Sequence, residues 1–171
     1  MKMGILNEVE RELCEVQFDD FKLFSLLAKY SHLPNPNIDV LRRFVFDCKI
    51  PGVVEAALSV FAEKCPTDEP FWSLIFMFID GVDWDTDEDV KFSATYALRF
   101  YPFDDRRLAD AVRTCLLSDD PHIRDAIAVV AQFKAGISPQ NILWHYEGGS
   151  VIDHISPAAR DWLEQRRRNH S

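Results

Sequence analysis

The sequence predicts an all-α fold of stacked helical hairpins, and two observations lead to this prediction. One is the segment 87–101, DEDVKFSATYALRFY, in which apolar residues fall on two faces of a helix and polar residues on a third. A helix that covers a single core needs only one apolar stripe, so two stripes indicate neighbours on two sides. The other is that altered copies of this segment occur before and after it in the chain.

The helix predicted over 87–101 has an aliphatic, an aromatic and a polar face. The aliphatic face carries Val90, Ala94, Ala97, Leu98 and Tyr101. The aromatic face carries Phe92, Tyr96 and Phe100, and the polar face carries Lys91, Thr95 and Arg99. We expect the first two faces to be buried, because both are apolar, and we expect Asp87 to cap the start of the helix.

Three segments align as the second helices of successive hairpins. They are PGVVEAALSVFA from Pro51, EDVKFSATYALR from Glu88 and PHIRDAIAVVAQ from Pro121, and their starts lie 37 and 33 residues apart. Periods in this range are typical of an α-solenoid, in which one hairpin buries its apolar faces by stacking on the next. A helical bundle with accidental similarity between its helices is the alternative interpretation.

An N-terminal cap of two helices, over 4–33, is predicted ahead of the repeats. The first helix spans 4–16, and the second runs from Asp19 or Asp20 to His32, before the prolines at 34 and 36.

The repeats occupy 37–136 and contain three helix pairs that end at proline or glycine. Their predicted helices are one that begins near Ile38 and closes at the turn 50–52, then 53–64, 68–79, 87–101, 104–117 and 121–134. Asp68 and Asp120 are placed to cap helices, and Gly136 is placed to end the last one. The apolar run 71–79 is interpreted as a buried helix, because its neighbours are amphipathic helices.

A C-terminal cap over 137–171 completes the single predicted domain, 1–171, with about nine to ten helices in all. It consists of a short helix from Ser138 to Trp144, a loop at the glycines 148 and 149, and a helix over 158–167. The arginines at 166–168 are expected to complement the dipole of that helix.

The composition is that of a soluble globular protein, with 47% hydrophobic and 27% charged residues. The longest apolar run is too short to span a bilayer, and acidic residues interrupt the N-terminal segment where an export signal needs an apolar run. We therefore expect a cytoplasmic protein without membrane contact. The 28 acidic and 19 basic residues give a net charge of −9, which argues against nucleic-acid binding and favours a basic protein partner.

The cysteine and histidine residues form no catalytic or metal-binding motif. The four cysteines at 14, 48, 65 and 115 contain no C-x-x-C pair and are expected to be small buried thiols. The five histidines match no metal or catalytic spacing, although His145 and His154 bracket a loop and leave a metal site as an alternative. We predict no cofactor.

The segment 117–131, LSDDPHIRDAIAVVA, resembles the second helix of a HEAT repeat. It has the loop Asp, the Asp-Pro pair, a β-branched residue followed by Arg124, and small residues at packing positions. Segment 87–98, DEDVKFSATYAL, is similar, with Val90 followed by Lys91, whereas the copy at 53 has Val54 where the family has a basic residue. The resemblance covers about 100 of the 171 residues, 37–136. It implies a right-handed α-α superhelix whose second helices line the concave face, and it implies no particular function.

If the second helices line a concave face, their aligned polar positions define a candidate groove. Lys91, Thr95 and Arg99 align with Arg124, Ala128 and Gln132 in the next unit and with Val54, Leu58 and Ala62 in the previous one. Such a groove would suit a peptide with an acidic group. The alternative is structural, with Lys91 paired to Asp87 and Arg124 paired to Asp119 or Asp120.

The acidic loop 80–89, DGVDWDTDED, is the second candidate surface. Trp84, flanked by Asp83 and Asp85, suits a basic protein, because Trp is a favoured hot-spot residue and rim carboxylates steer association. A calcium loop of the EF-hand type does not fit, since Glu88 stands where that loop requires glycine.

The sequence thus predicts a non-enzymatic module that binds a protein or peptide. A narrower hypothesis is an immunity-type inhibitor that blocks a basic toxin by charge complementarity. The alternative is an enzyme or enzyme subunit that resembles HEAT-repeat lyases or base-excision glycosylases. The lack of a catalytic motif disfavours this alternative, and the lack of a basic surface further disfavours a glycosylase.

Overall fold

A computed structural model describes residues 7–18, 21–147 and 149–168. Over these residues the fold is all-helical, as predicted, with nine α-helices and no strands. The helices are α1 (Glu8–Glu15), α2 (Lys22–Ser31), α3 (Asp39–Arg42), α4 (Pro51–Lys64), α5 (Glu69–Asp80), α6 (Asp89–Ala97), α7 (Arg106–Leu116), α8 (Pro121–Lys134) and α9 (Pro157–Arg168). The helix starts predicted at 4 and at 19 or 20, and the loop position 148, lie outside the described residues.

Shorter helical turns connect several of these helices. A π-helical turn, Arg43–Asp47, follows α3, and 3-10 turns cover Leu98–Phe100, Pro139–Asn141 and Val151–Asp153. None of the described helices combines the length and the apolar character that a bilayer-crossing segment requires.

The helices pack in two rows. In one row α2, α4, α6 and α8 each contact the next, and in the other α5, α7 and α9 do the same. Hairpin contacts between α5 and α6 and between α7 and α8 join the rows. Helix α6 therefore contacts α4 on one side and α8 on the other, so the prediction that it has neighbours on two sides is confirmed.

Helix starts follow the predicted capping chemistry at most positions. Asp68 accepts a hydrogen bond from the Phe71 N–H (2.9 Å), and Asp120 accepts one from the His122 N–H (2.8 Å). Asp105 caps α7 in the same way, one residue after the predicted start. Gly136 ends α8 with φ of +76°, a conformation that glycine adopts without strain.

The start of α6 differs from the prediction, because Asp87 does not cap it. Asp85 does so instead, since its carboxylate accepts hydrogen bonds from the N–H groups of Val90 (3.2 Å) and Lys91 (3.0 Å). Glu88, which lies between Asp85 and the bonded N–H groups, adopts φ of +58°. The chain therefore turns back, and the Asp85 carboxylate lies at the N-terminal end of α6. The Asp87 prediction was wrong.

The helix predicted over 138–144 is also wrong, since only a 3-10 turn forms there. The backbone N–H and carbonyl of Leu143 bond to the side chain of Gln132 and not to a helical neighbour. One cysteine prediction was wrong as well, because Cys14 is exposed, while Cys48 and Cys115 are buried and Cys65 is half-buried.

The faces of α6 are arranged differently from the prediction. The aliphatic face is buried, as predicted, but Phe92 of the aromatic face is 36% exposed and Thr95 of the polar face is fully buried. Ser93 is buried beside α4, and Thr95 lies 3.4 Å from Cys115 of α7. Small side chains let neighbouring helices approach closely, so the small residues occupy the interfaces. Phe92 is left exposed, while Tyr96 and Phe100 are half-buried against the core.

A polar network ties α5, α7 and the turn after α6 together. The Tyr101 hydroxyl donates to Asp105 (2.7 Å) and accepts from Arg107 (2.8 Å), and Arg107 pairs with Glu69 (2.5 Å). Burial, followed by the hydrogen bond to Asp105, raises the pKa of Tyr101 to about 12. The phenol therefore stays a neutral donor throughout the physiological range.

Candidate protein-binding surface

Two of the predicted contact residues, Thr95 and Gln132, lie inside the protein. The Thr95 hydroxyl donates to the Lys91 carbonyl (2.8 Å). Gln132 is 2% exposed, and its amide donates to the Leu143 carbonyl (3.0 Å) and accepts from the Leu143 N–H (2.9 Å). In this conformation both side chains serve internal contacts, and a partner would reach neither without local rearrangement.

The basic residues Lys91 and Arg124 also make contacts within the chain. Lys91 pairs with Glu88 (3.0 Å), and Arg124 donates to the backbone carbonyl of Ser118. These contacts are structural, as the alternative interpretation proposed, but they use different acceptors from the aspartates predicted there. Neither side chain therefore supports the predicted peptide-binding groove.

The Trp84 loop is anchored to the core. The Trp84 ring is half-buried and meets Phe78 edge-on, with centroids 5.8 Å apart and planes at 87°. Asp85 is buried as the α6 cap, and Asp83 is exposed. Trp84 therefore stabilises the turn before α6 and offers a partner only part of its ring.

Arg99 is the polar residue of the predicted groove whose side chain, among the described residues, has no hydrogen bond or ion pair within the chain. Its guanidinium lies over the rings of Tyr96 (4.7 Å), Phe100 (4.5 Å) and Phe133 (5.9 Å). Among the described residues no carboxylate oxygen comes within 4.0 Å of it. Burial lowers the pKa of Arg99, and Tyr96 and Glu63 oppose this shift. Arginine side chains nevertheless keep their charge at neutral pH in proteins.

Aromatic rings beside Arg99 form a continuous surface, which we call the aromatic patch: Phe92, Tyr96, Phe133 and Trp144. The centroids of Phe92 and Tyr96 are 5.8 Å apart, those of Tyr96 and Trp144 6.0 Å, and those of Phe133 and Trp144 5.6 Å. Trp144 is 51% exposed. The patch therefore connects α6, α8 and the segment after α8.

Sequence analysis missed the aromatic patch for two reasons. Phe92 and Tyr96 were assigned to a buried face, and Phe133 and Trp144 reach the same place from a distant part of the chain. A usable signal was the spacing of Phe92, Tyr96 and Arg99, which at i, i+4 and i+7 share one helix face.

An acidic pocket adjoins the patch at the N-terminal ends of the same helices. Its volume is about 270 Å³, and it is lined by Glu55, Asp87, Glu88, Asp89, Phe92, Asp120 and His122. Phe92 belongs to both the pocket and the patch. Within the described part of the chain, no group of three or more His, Cys, Asp or Glu side chains is arranged to hold a metal ion.

The surroundings of Glu55 in the acidic pocket disfavour its charged form. Burial, and next the charge of Asp89, raise the pKa of Glu55, while a hydrogen bond with Ser93 opposes the shift. The ionised carboxylate therefore disfavours the folded state at neutral pH. A cation placed in the pocket would relieve this repulsion.

We expect Glu55→Gln to stabilise the protein at pH 7. Because the folded pKa of Glu55 is raised, the penalty exists above that pKa and is lost as the pH falls through it. The gain in melting temperature should therefore fade as the pH falls towards 4.5, the ordinary pKa of a glutamate carboxyl. Melting curves from pH 7 to 4.5 measure this, with the exposed Glu147→Gln as the control. A gain that is independent of pH would contradict the prediction.

The surface combines exposed rings, a carboxylate-lined pocket and a cation, which are groups that recognise polypeptide side chains. No family model, curated protein or solved structure shows a significant match to this chain. The chemistry of the surface itself therefore supplies the basis for a functional assignment.

Proposed function

We propose that this chain is a non-catalytic module that binds a protein or peptide partner through the aromatic patch and the acidic pocket. The observation that carries the proposal is the aromatic patch, whose rings come from α6, α8 and the segment after α8. Covering the patch would remove Phe92 and Trp144, which are 36% and 51% exposed, from water. Contiguous exposed rings with a charged border are typical of interaction sites.

We further propose that the helical hairpins form a HEAT-like right-handed superhelix with α4, α6 and α8 on its concave side. The support is the sequential contact of these helices in one row and of α5, α7 and α9 in the other. Concave faces of solenoids are extended binding surfaces. The aromatic patch and the acidic pocket would then lie on the concave side.

The proposed partner is basic. Five carboxylates line the acidic pocket, and the net charge of −9 would steer a basic protein towards the surface. An immunity-type inhibitor of a basic toxin is the narrower form of this proposal. Co-expression with the product of an adjacent reading frame tests this narrower form. If it is correct, this chain should protect the cells from the toxicity of that product.

Binding of model peptides tests the general proposal. We expect a lysine–leucine dodecapeptide to bind, and a glutamate–leucine dodecapeptide of the same pattern not to bind, in calorimetric titrations at low salt. The double variant Phe92→Ala, Trp144→Ala should weaken the affinity roughly tenfold, because aromatic hot spots cost about 1–2 kcal/mol or more when truncated.

The matched control is Phe21→Ala, which removes a 90% exposed ring from the N-terminal end of α2. Its affinity for the lysine–leucine peptide should equal that of the parent protein. Equal loss in the control and in the double variant, or equal binding of both peptides, would reject the proposal.

A further inference from the structure

Arg99 differs from the other half-buried arginines because, among the described residues, its side chain makes no hydrogen bond or ion pair within the chain. Arg42 pairs with Asp68, Arg107 with Glu69 and Arg166 with Asp104, each with a nitrogen–oxygen distance of 2.6 Å or less. Arg43 also lies over rings and has no carboxylate partner, but it donates to backbone carbonyls, whereas the contacts of Arg99 within the described part of the chain are with aromatic rings alone. Rings attract a cation through their π-faces, but they do not serve as ordinary acceptors for the five N–H donors of a guanidinium.

The chain has nine more acidic than basic residues, so carboxylates are available to pair with its arginines. Arg99 nevertheless has no such partner among the described residues. Glu63 is near enough to influence the pKa of Arg99 but does not form an ion pair with it. The planar fork of donors matches a carboxylate, and partial removal from water strengthens such a bond. The donors of Arg99 therefore match a carboxylate but lack a carboxylate acceptor among the described residues.

Arg99 and the acidic pocket lie at opposite ends of one helix face. Arg99 lies in the 3-10 turn that follows α6, seven positions after Phe92 and ten after Asp89, so at about 1.5 Å per residue the distance along the helix axis is roughly 10–15 Å. An extended peptide covers about 3.3 Å per residue. Three to five residues of an extended segment would therefore span the two charged positions across the aromatic patch.

We propose that Arg99 receives a carboxylate side chain of the partner, and that the bound segment carries a Lys or Arg three to five residues from an Asp or Glu. The cation enters the acidic pocket, the carboxylate pairs with Arg99, and apolar side chains between them cover the aromatic patch. This inference rests on the proposed function and specifies the segment that the surface selects.

A peptide array tests the spacing. The array consists of leucine-containing dodecapeptides with one lysine and one glutamate separated by one to eight residues, together with the same peptides in which glutamine replaces glutamate. We expect the full-length protein to bind the glutamate peptides best at a separation of three to five residues. We expect no such maximum for the glutamine series.

Substitutions at Arg99 assign the carboxylate contact. Arg99→Gln should weaken the best glutamate peptide roughly tenfold, as expected for loss of a charge-assisted pair, and should leave its glutamine counterpart unchanged. Arg99→Lys should recover part of the loss. Arg106→Gln, at an exposed position on α7, changes the net charge equally and should affect neither peptide. Circular-dichroism melting checks that each variant is folded.

The outcomes separate the two proposals. Peptide binding without a preferred separation, or a preference that Arg99→Gln retains, rejects the role of Arg99 and leaves the proposed binding function standing. An array on which no basic peptide binds rejects both.

Discussion

Trp72→Ala is expected to lower the free energy of unfolding by about 3–5 kcal/mol, the range for removal of a buried aromatic side chain. Trp72 has no exposed surface. Its ring packs edge-on against Phe71 (5.1 Å) and Tyr101 (4.9 Å), and its indole N–H donates to the Pro66 carbonyl (2.8 Å). The substitution would leave a cavity between α5 and α6 and an unpaired carbonyl, and chemical denaturation at pH 7 measures the loss.

The matched control for Trp72→Ala is the same substitution at Trp144. Because that ring is half-exposed, its loss should cost less than about 1.5 kcal/mol. Similar costs at the two positions would show that the interface between α5 and α6 does not depend on Trp72.

Gln132→Leu should destabilise the protein by about 2 kcal/mol, because it leaves the N–H and the carbonyl of Leu143 without their partners. Both groups are bonded to the Gln132 amide in the fold. The substitution should also free the adjacent Trp144, which packs on Tyr96 and Phe133. We therefore expect weaker peptide binding together with the loss of stability.

Hydrogen exchange gives a local readout for Gln132→Leu. The Leu143 amide should exchange faster by more than global destabilisation accounts for, since its acceptor has been removed. Gln140→Leu, at an exposed position in the 3-10 turn Pro139–Asn141, is the control and should leave this amide protected. Unchanged protection in Gln132→Leu would show that the amide bridge does not hold the segment.

Much of the fold could be predicted from local chemistry. Periodicity located the helices of the repeats, because each buried stripe leaves its mark at helical spacing, and Asp68, Asp120 and Gly136 marked helix ends through bonds made within a few residues. Predictions failed where a contact joins distant parts of the chain, as in the segment 138–144. There a side chain from α8 takes the backbone bonds that a helix would have used.

The candidate site was less predictable than the fold. Arg99 was identified from internal alignment, but Thr95 and Gln132 proved to be buried. Hydropathy ranks Phe92 and Tyr96 above Ser93 and Thr95 as core residues. Close helix packing favoured the smaller pair, which left the Phe92 ring exposed and the Tyr96 ring half-buried. Which apolar face of a helix remains exposed to solvent depends on the shape of the neighbouring helices. The sequence of the helix itself does not contain that information.

The Tyr101 network has a consequence for the order in which the protein opens. Its bonds to Asp105 and Arg107, and through Arg107 to Glu69, cross from one hairpin to the next. Hairpins joined only by nearest-neighbour stacking can fray one at a time from the ends of a row. We expect the shared phenol and guanidinium to couple the opening of α5 and α7, and so to hold the turn after α6 in place when helices at the ends of the rows fray.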